Sequence, residues 1–493
     1  MLASLFEDAL EPTWRRPRSR STRYGPLWAA LVEDLPAGSA TVQERDGSEA
    51  MTGKPSPPIR SSREVTLEMP RDLGGPLGRT IHPEDQPMKI KDKKNRSPKL
   101  LYDRLTSTLA KGRSEDESKI KFESFSTFFE IEEYEELLGS AFAFDPKISE
   151  HDRVLIVKRA LGDFLPKRGS ERMYSAFKAK VEEYAAEHIG GARRNFLVLA
   201  NLSINGAGRI GTRRISGIES MPTASISLSQ GRPQSTREKE LKEFDALVNR
   251  LGVDRPGNWW FAQIRLAALS EWGALQDGKL CLDLIRGIWN MHVNPYSIKT
   301  LIGNELPINR ILAGPIVTVH DEKGNLVPEA NHAYFFRSNQ RGCPLETVRG
   351  AFGLERGIRL RLRKISYAKE IVDGIVWLAR ALDCLEYDQL FLNLWSVLEY
   401  LVGTAEERLR QEDIVKRAVA LSSDREYDLE VVNAAREFRN GFAHKFYAIA
   451  EGQKVAFGLK RIVERVLYYH IREGRKFESG AVDLNAVHHA VTP

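Results

Sequence analysis

Near its C-terminal end the chain reads Arg439-Asn440-Gly441-Phe442-Ala443-His444, a guanidinium, a carboxamide and an imidazole within six residues. These groups are suited to cutting RNA through the RNA's own 2'-hydroxyl. That reaction needs a proton acceptor for the hydroxyl, a proton donor for the leaving 5'-oxygen, and positive charge beside the crowded phosphorane. Imidazole titrates at about pKa 6.5 and can both accept and donate a proton near neutrality. Guanidinium stays charged and presents a planar fork of donors to phosphate oxygens. Asn440 can bond phosphate or orient its neighbours. Spacing alone does not select this pair, because Arg286 and His292, and Arg465 and His470, stand at similar separations. Only Arg439 and His444 combine an Asn directly after the Arg with a Gly between the two ends.

The elements that carry these residues read as helices. Ile371, Ile375 and Leu378 mark one, and Leu390, Leu394, Val397, Leu398 and Leu401 mark the next. Ile414 to Leu421 is a shorter helix, Tyr427 to about Ala450 carries the motif, and Leu459, Ile462, Val466 and Tyr469 form one face of the last. Short polar connections between them predict an antiparallel bundle of four or five helices over 366–474.

Phe391-Leu392-Asn393-Leu394-Trp395-Ser396-Val397-Leu398-Glu399-Tyr400-Leu401, followed by Arg436-Glu437-Phe438-Arg439-Asn440-Gly441-Phe442-Ala443-His444, resembles a HEPN domain of the Apea-like group. The likeness covers about 110 residues, under a quarter of the chain. It implies a helical bundle that dimerises and, in many members, acts as a metal-independent ribonuclease in antiphage, abortive-infection or toxin systems. Arg439 and His444 match the family's catalytic pair, and Asn440 its polar position after the Arg. Glu399, on the facing helix, either pairs with Arg439 or is structural. Toxins of this family that are silenced by nucleotidyltransferases carry Tyr two residues after the His; this chain has Phe446 there, which argues against control by tyrosine AMPylation.

Helical geometry adds a constraint. Five residues of straight helix turn through about 500°, so Arg439 and His444 stand roughly 140° apart and do not aim at one phosphate. Either Gly441 permits a break in the helix, or a homodimer brings motifs from two subunits into one cleft. Both can act together.

Ahead of the bundle the patterning predicts a helical region at 98–190 and a mixed α/β (α+β) sensor or regulatory domain at 191–365. Glu130 to Leu138 and Met173 to Ala186 carry the helical signal, and Phe196 to Ala200 reads as a buried strand. Ile226 and Leu228 alternate with serines as in a half-exposed strand, and Ile316 to Phe336 reads as a hairpin. Arg237 to Leu251 and Trp260 to Leu269 read as helices. In Ile358 to Lys364, strict alternation predicts a strand whose Arg359, Arg361 and Arg363 share a face. That face is either a solvated edge that blocks aggregation or an RNA-binding phosphate stripe.

Residues 1–97 hold 11 of the 23 prolines and no sustained period, which predicts a mostly disordered segment. Translation starts at Met51 or Met88 would account for the same stretch. Residues 475–493 read as a flexible tail. The chain is thus expected to be multidomain, with an all-α bundle as its last folded part. Its 493 residues are 42% apolar, carry a formal charge of +6 and have a pI near 9.0, compatible with a polyanionic partner. There is no secretory signal and no membrane span, and the expected location is cytoplasmic. Cys281, Cys343 and Cys384 lack metal or disulfide spacing, and no cofactor is expected. Gly206-Ala207-Gly208-Arg209-Ile210-Gly211 fits a dinucleotide fingerprint only formally, since no acidic residue follows at the required distance and the next residues do not read as a helix.

The function these readings predict is a metal-independent endoribonuclease whose preceding region senses a trigger ligand or phage protein. The alternative is a non-catalytic HEPN dimerisation scaffold with a ligand- or partner-binding middle domain.

Overall fold

A computed structural model describes residues 89–477 apart from 94–95, 112–124, 146–147, 165–172, 209, 231–258, 295–306, 328–329, 331, 334–341, 404–408, 423 and 443–451. The Pro-rich expectation for the N-terminal segment therefore lies outside the described residues up to 88, as do the helix expected at Arg237 to Leu251 and the tail beyond 477. Residues 89–92, inside the stretch expected to be disordered, form a strand.

The first layer comprises β1 (Lys89–Asp92), α1 (Pro98–Lys111), α2 (Phe125–Ala141), β2 (Phe142–Asp145), α3 (Glu150–Phe164) and α4 (Tyr174–Gly190). β1 and β2 pair antiparallel, Lys89 opposite Asp145. The core is aromatic: Tyr102 stacks on Phe177 with ring centroids 4.6 Å apart, and Phe142 lies 6.4 Å from the same ring. Val157, Leu161 and Val181, at helical spacing on α3 and α4, complete it.

The second layer is a sheet with one long helix laid across it. Its strands are β3 (Arg194–Leu202), β4 (Ile204–Asn205), β5 (Ile210–Ile215), β6 (Ala224–Ser229), β7 (Trp260–Ala268), β8 (Ala313–His320), β9 (His332–Ala333) and β10 (Cys343–Pro344). Six form one antiparallel sheet in the order β5-β6-β7-β3-β8-β9, while β4 and β10 pair in parallel. α5 (Glu271–Val293) crosses the sheet closely: a Cβ added at Gly278 would stand 2.8 Å from Val198 Cγ2. α6 (Leu345–Leu362) then packs on α5.

Two expectations are corrected in this layer. Residues 260–268 form a strand, β7, rather than a helix. Trp260, Ala262, Ile264, Leu266 and Ala268 are buried in strict alternation; Trp260 and Ile264, four apart, had mimicked a helical period. Conversely, 358–362 belong to helix α6 rather than a strand. Leu345, Val348, Ala351, Leu354, Ile358 and Leu362 form one buried helical stripe, and Leu360 is 39% exposed. The alternation seen after Ile358 is the tail of a 3.6-residue pattern begun thirteen residues earlier. The strands at Phe196 and Ile226 and the turn after β8 are where the sequence places them; in that turn Asp321 N donates to the Asn325 carbonyl at 2.9 Å.

α7 (Ala368–Ala381), α8 (Tyr387–Val402), α9 (Gln411–Ala420), α10 (Arg425–Phe442) and α11 (Gly452–Glu473) pack together as the last layer. Trp395, Leu398, Val432, Ile462 and Val466 are among their buried residues. α7 also lies on α5, where Gly287 admits Ile375. Lys460 of α11 is fully buried and donates to the Asn294 carbonyl at the end of α5 (2.7 Å) and to Glu464 (2.9 Å). Among the described residues no helix is long and apolar enough to cross a membrane.

Asp152 joins the first two layers. Ser149 accepts from the Asp152 amide and donates to its carboxylate (2.5 Å) at the start of α3, and Ser270, the N-cap of α5, donates to the same oxygen (2.6 Å). Burial pushes this carboxyl up, but His188, Ser149 and Ser270 together draw it below the usual carboxylate range. The stability it contributes is therefore present above its unfolded value and is lost as pH falls through the depressed folded value. Asp152→Ala is expected to destabilise the fold by about 2–3 kcal/mol, measured as a lower urea midpoint at pH 7. An unchanged midpoint would remove Asp152 from the stabilising contacts between α3 and α5.

Candidate active site

α10 is a helix because Val431, Val432, Ala435 and Phe438 bury one face and Asp424 caps its start by accepting from the Tyr427 amide (3.2 Å). Phe438 meets Phe391 of α8 with ring centroids 5.0 Å apart, which pins the end of α10 to the first half of the Trp395 helix. Arg439 follows in the last turn, half-buried, with no ion pair among the described residues. Asn440 is exposed and exchanges two hydrogen bonds with Gln411 of α9, each 3.2 Å. Gln411 was not singled out in the sequence, since 29 positions separate it from Asn440 and no spacing rule connects them.

The other sequence-derived residues fare differently. α10 includes Gly441 and ends at Phe442, and the path from there to His444, where a bend would act, lies outside the described residues. His444 lies outside the described residues. Glu399 is exposed and forms no ion pair with Arg439 among the described residues. The reason is axial distance: Phe391, which marks the level of Phe438, is eight residues from Glu399, about 12 Å along α8.

The arginines of α6 do not form a stripe. Successive residues on a helix turn through about 100°, which sends Arg361 to the opposite side from Arg359 and Arg363. Arg359 is bound to Glu355 and to the Arg214 carbonyl on β5. Arg363 donates to Ser216 Oγ at 3.2 Å, and Arg361 to the Arg472 carbonyl of α11 at 3.3 Å. Glu355 is fully buried and also faces Arg213 at 3.0 Å, whose guanidinium lies 4.0 Å from the Phe352 ring centre. These are packing contacts between α6 and its neighbours.

The rival Arg and His pairs have internal partners. Arg286 is buried between Asp283 and Asp383, at 2.7 Å from each. Burial pushes the His292 imidazole down. Arg465 is paired with Asp428. His470 is 3% exposed; its Nε2 donates to the Leu401 carbonyl (2.8 Å) and its Nδ1 meets the Tyr367 hydroxyl (3.1 Å). Burial also pushes the His470 imidazole down.

Other chemistries find little support. Burial raises the thiols of Cys281 and Cys384 and pushes Cys343 up to about 11, so all three are protonated at neutral pH. Gly206 and Gly208 have φ of 104° and 153° and lead into strand β5, which makes the glycine-rich stretch a turn. Trp260, fully buried, donates from its indole to the Gly206 carbonyl at 3.2 Å and belongs to the core. Among the described residues no group of three His, Cys, Asp or Glu is placed to hold a metal ion. Compared with protein families, curated proteins and solved structures, the chain matches none of them.

Proposed function

We propose that the chain is a HEPN-type, metal-independent endoribonuclease, an antiphage or abortive-infection effector in which the preceding layers hold the helical bundle in check until a trigger binds. The observation that carries this reading is Arg439. Of the three arginines at that spacing from a histidine, it alone has no carboxylate partner among the described residues, and it stands half-exposed beside an Asn held by Gln411. Its guanidinium is thus available to phosphate oxygens. His444 would take the proton of the 2'-hydroxyl or return one to the 5'-oxygen. The 2'-oxygen bonds to phosphorus as the bond to the 5'-oxygen breaks, leaving a cyclic phosphate and a 5'-hydroxyl.

The test is to induce the wild type, Arg439→Ala and His444→Ala in cells under triggering conditions and follow growth and total RNA. Growth arrest with fragmented RNA only for the wild type supports the reading. A harmless wild type, or a His444→Ala chain that still cuts, returns the bundle to the scaffold reading.

A two-fold dimer through the bundle is part of this proposal, since Arg439 and His444 would stand roughly 140° apart on a straight helix. Trp377 of α7, 40% exposed, lies beside Tyr400 of α8 with ring centroids 4.5 Å apart. Trp377→Asp is expected to convert the dimer to a monomer in light scattering and to abolish cutting. A dimer that survives this substitution would place the interface elsewhere.

A further inference from the structure

Among the described residues, half of one face of the six-stranded sheet is open. On β5, β6 and β7 the positions that alternate with the core include Arg214, Ser225, Ser227, Phe261, Gln263 and Arg265, all partly or fully exposed. On the neighbouring β3 and β8, Leu197, Leu199, Thr318 and His320 of the same face are buried, while Asn195 and Asn201 near the ends of β3 are exposed or partly so. Arg214 and Arg265 share a cross-strand row, each opposite Ser225, so their backbones stand about 10 Å apart across two strand spacings. Both are exposed, and neither has an ion pair among the described residues.

The charge of this face is one-sided. None of the six strands contains an Asp or Glu, although the whole chain is nearly balanced at 73 Lys and Arg against 67 Asp and Glu. A merely solvated face would be expected to mix both signs. Glu271, the carboxylate nearest Arg265 in sequence, is taken by Arg194 at 2.7 Å. Glu219 stands in the connection between β5 and β6.

We propose that this open face binds a single-stranded polynucleotide. Arg214 and Arg265 take phosphates, the Ser225 and Ser227 hydroxyls bond sugar and base edges, and the half-exposed Phe261 ring stacks on a base. A sheet face whose side chains between the two arginines are mostly short suits unstacked bases better than a duplex groove. An added peptide strand is disfavoured, because Arg359 already occupies the Arg214 carbonyl on the outer edge of β5 and Arg363 holds Ser216 beside it. The site is separate from the bundle and does not depend on its cleaving RNA.

The test uses the full chain carrying His444→Ala, so that a labelled 15-nucleotide single-stranded RNA is not consumed, with anisotropy measured across a salt series. Arg214→Glu with Arg265→Glu is expected to weaken binding at least tenfold and to flatten the slope of log affinity against log salt by about 1.4, two lost phosphate contacts. Arg214→Lys with Arg265→Lys keeps the charge and should keep the slope. Lys99→Glu with Arg104→Glu, the same charge change at exposed positions on α1, should cost less than twofold. The proposal is overturned if the wild-type face binds no single strand at low salt, if the sheet and α1 variants bind alike, or if a duplex binds as tightly as the single strand.

Discussion

His444→Ala is expected to slow RNA cleavage by about 10²–10⁴-fold, the usual contribution of a positioned general acid or base, while RNA affinity stays within about twofold. Arg439→Ala should produce a comparable fall, because in the proposed reaction the guanidinium would bear on charge that develops at the phosphorane. Arg439→Lys separates two contributions: it keeps the positive charge but loses the planar fork, so activity between wild type and Arg439→Ala is expected. Two conditions report the chemistry independently of the variants. Cutting should persist in excess EDTA, and a substrate with a single 2'-deoxy nucleotide 5' to the scissile bond should not be cut there, since the attacking oxygen is missing. Asn440→Ala should act more weakly than either, because its amide already exchanges hydrogen bonds with Gln411. Cleavage by His444→Ala at the wild-type rate would defeat the assignment outright, and cleavage of the deoxy substrate would defeat the 2'-hydroxyl route.

The parts of the fold that were legible in the sequence are those where one local period decides burial. Leu390, Leu394, Leu398 and Leu401 face the core of the last layer as their spacing requires, and Ile226 and Leu228 alternate with serines on β6. Misreadings arose where two periods overlap. Trp260 and Ile264 satisfy a helix and a strand equally, and only pairing with β3 and β6 decides between them. In α6 the arginines were read as one face because Ile358, Leu360 and Leu362 alternate; the decisive residues, Leu345 to Leu354, lie upstream. The Arg-Asn element of the candidate site was visible because it is contiguous. Its partner Gln411 was not, and neither was the open face that sets Arg214 beside Arg265, since strand order is a tertiary fact. Glu399 illustrates the converse limit: presence on the neighbouring helix does not fix its level along that helix.

The largest effect on stability is expected at Arg286, whose spacing to His292 only resembles that of Arg439 to His444 and which is the centre of an ionic cluster. It is 1% exposed and holds Asp283 of its own helix and Asp383, just beyond α7, each at 2.7 Å. Arg380 also binds Asp283, at 2.8 Å, and Asn309 binds Asp383, at 2.7 Å, so the cluster ties α5 to the end of α7. Arg286→Met fills much of the volume but leaves the buried Asp283 and the partly exposed Asp383 without their shared cation. The expected loss is about 3–5 kcal/mol, typical when one partner of a buried pair is removed. Arg286→Met with Asp383→Leu should recover part of it, because removing the stranded charge is cheaper than burying it. The pH dependence distinguishes lost charge pairing from lost packing. Burial pushes Asp283 up, but Arg286 and Arg380 hold its carboxyl below the usual range overall, so in the wild type its contribution is present above the unfolded value and lost as pH falls through the folded one. Asp383 goes the other way, pushed up mainly by burial, so the acid limb belongs to Asp283. Without Arg286 both carboxylates protonate more readily, and protonation relieves the penalty. The deficit of Arg286→Met relative to wild type, measured from urea midpoints, should therefore be largest near pH 7 and shrink toward pH 4. A deficit of the same size at both pH values would mean that Arg286 stabilises this junction through packing alone.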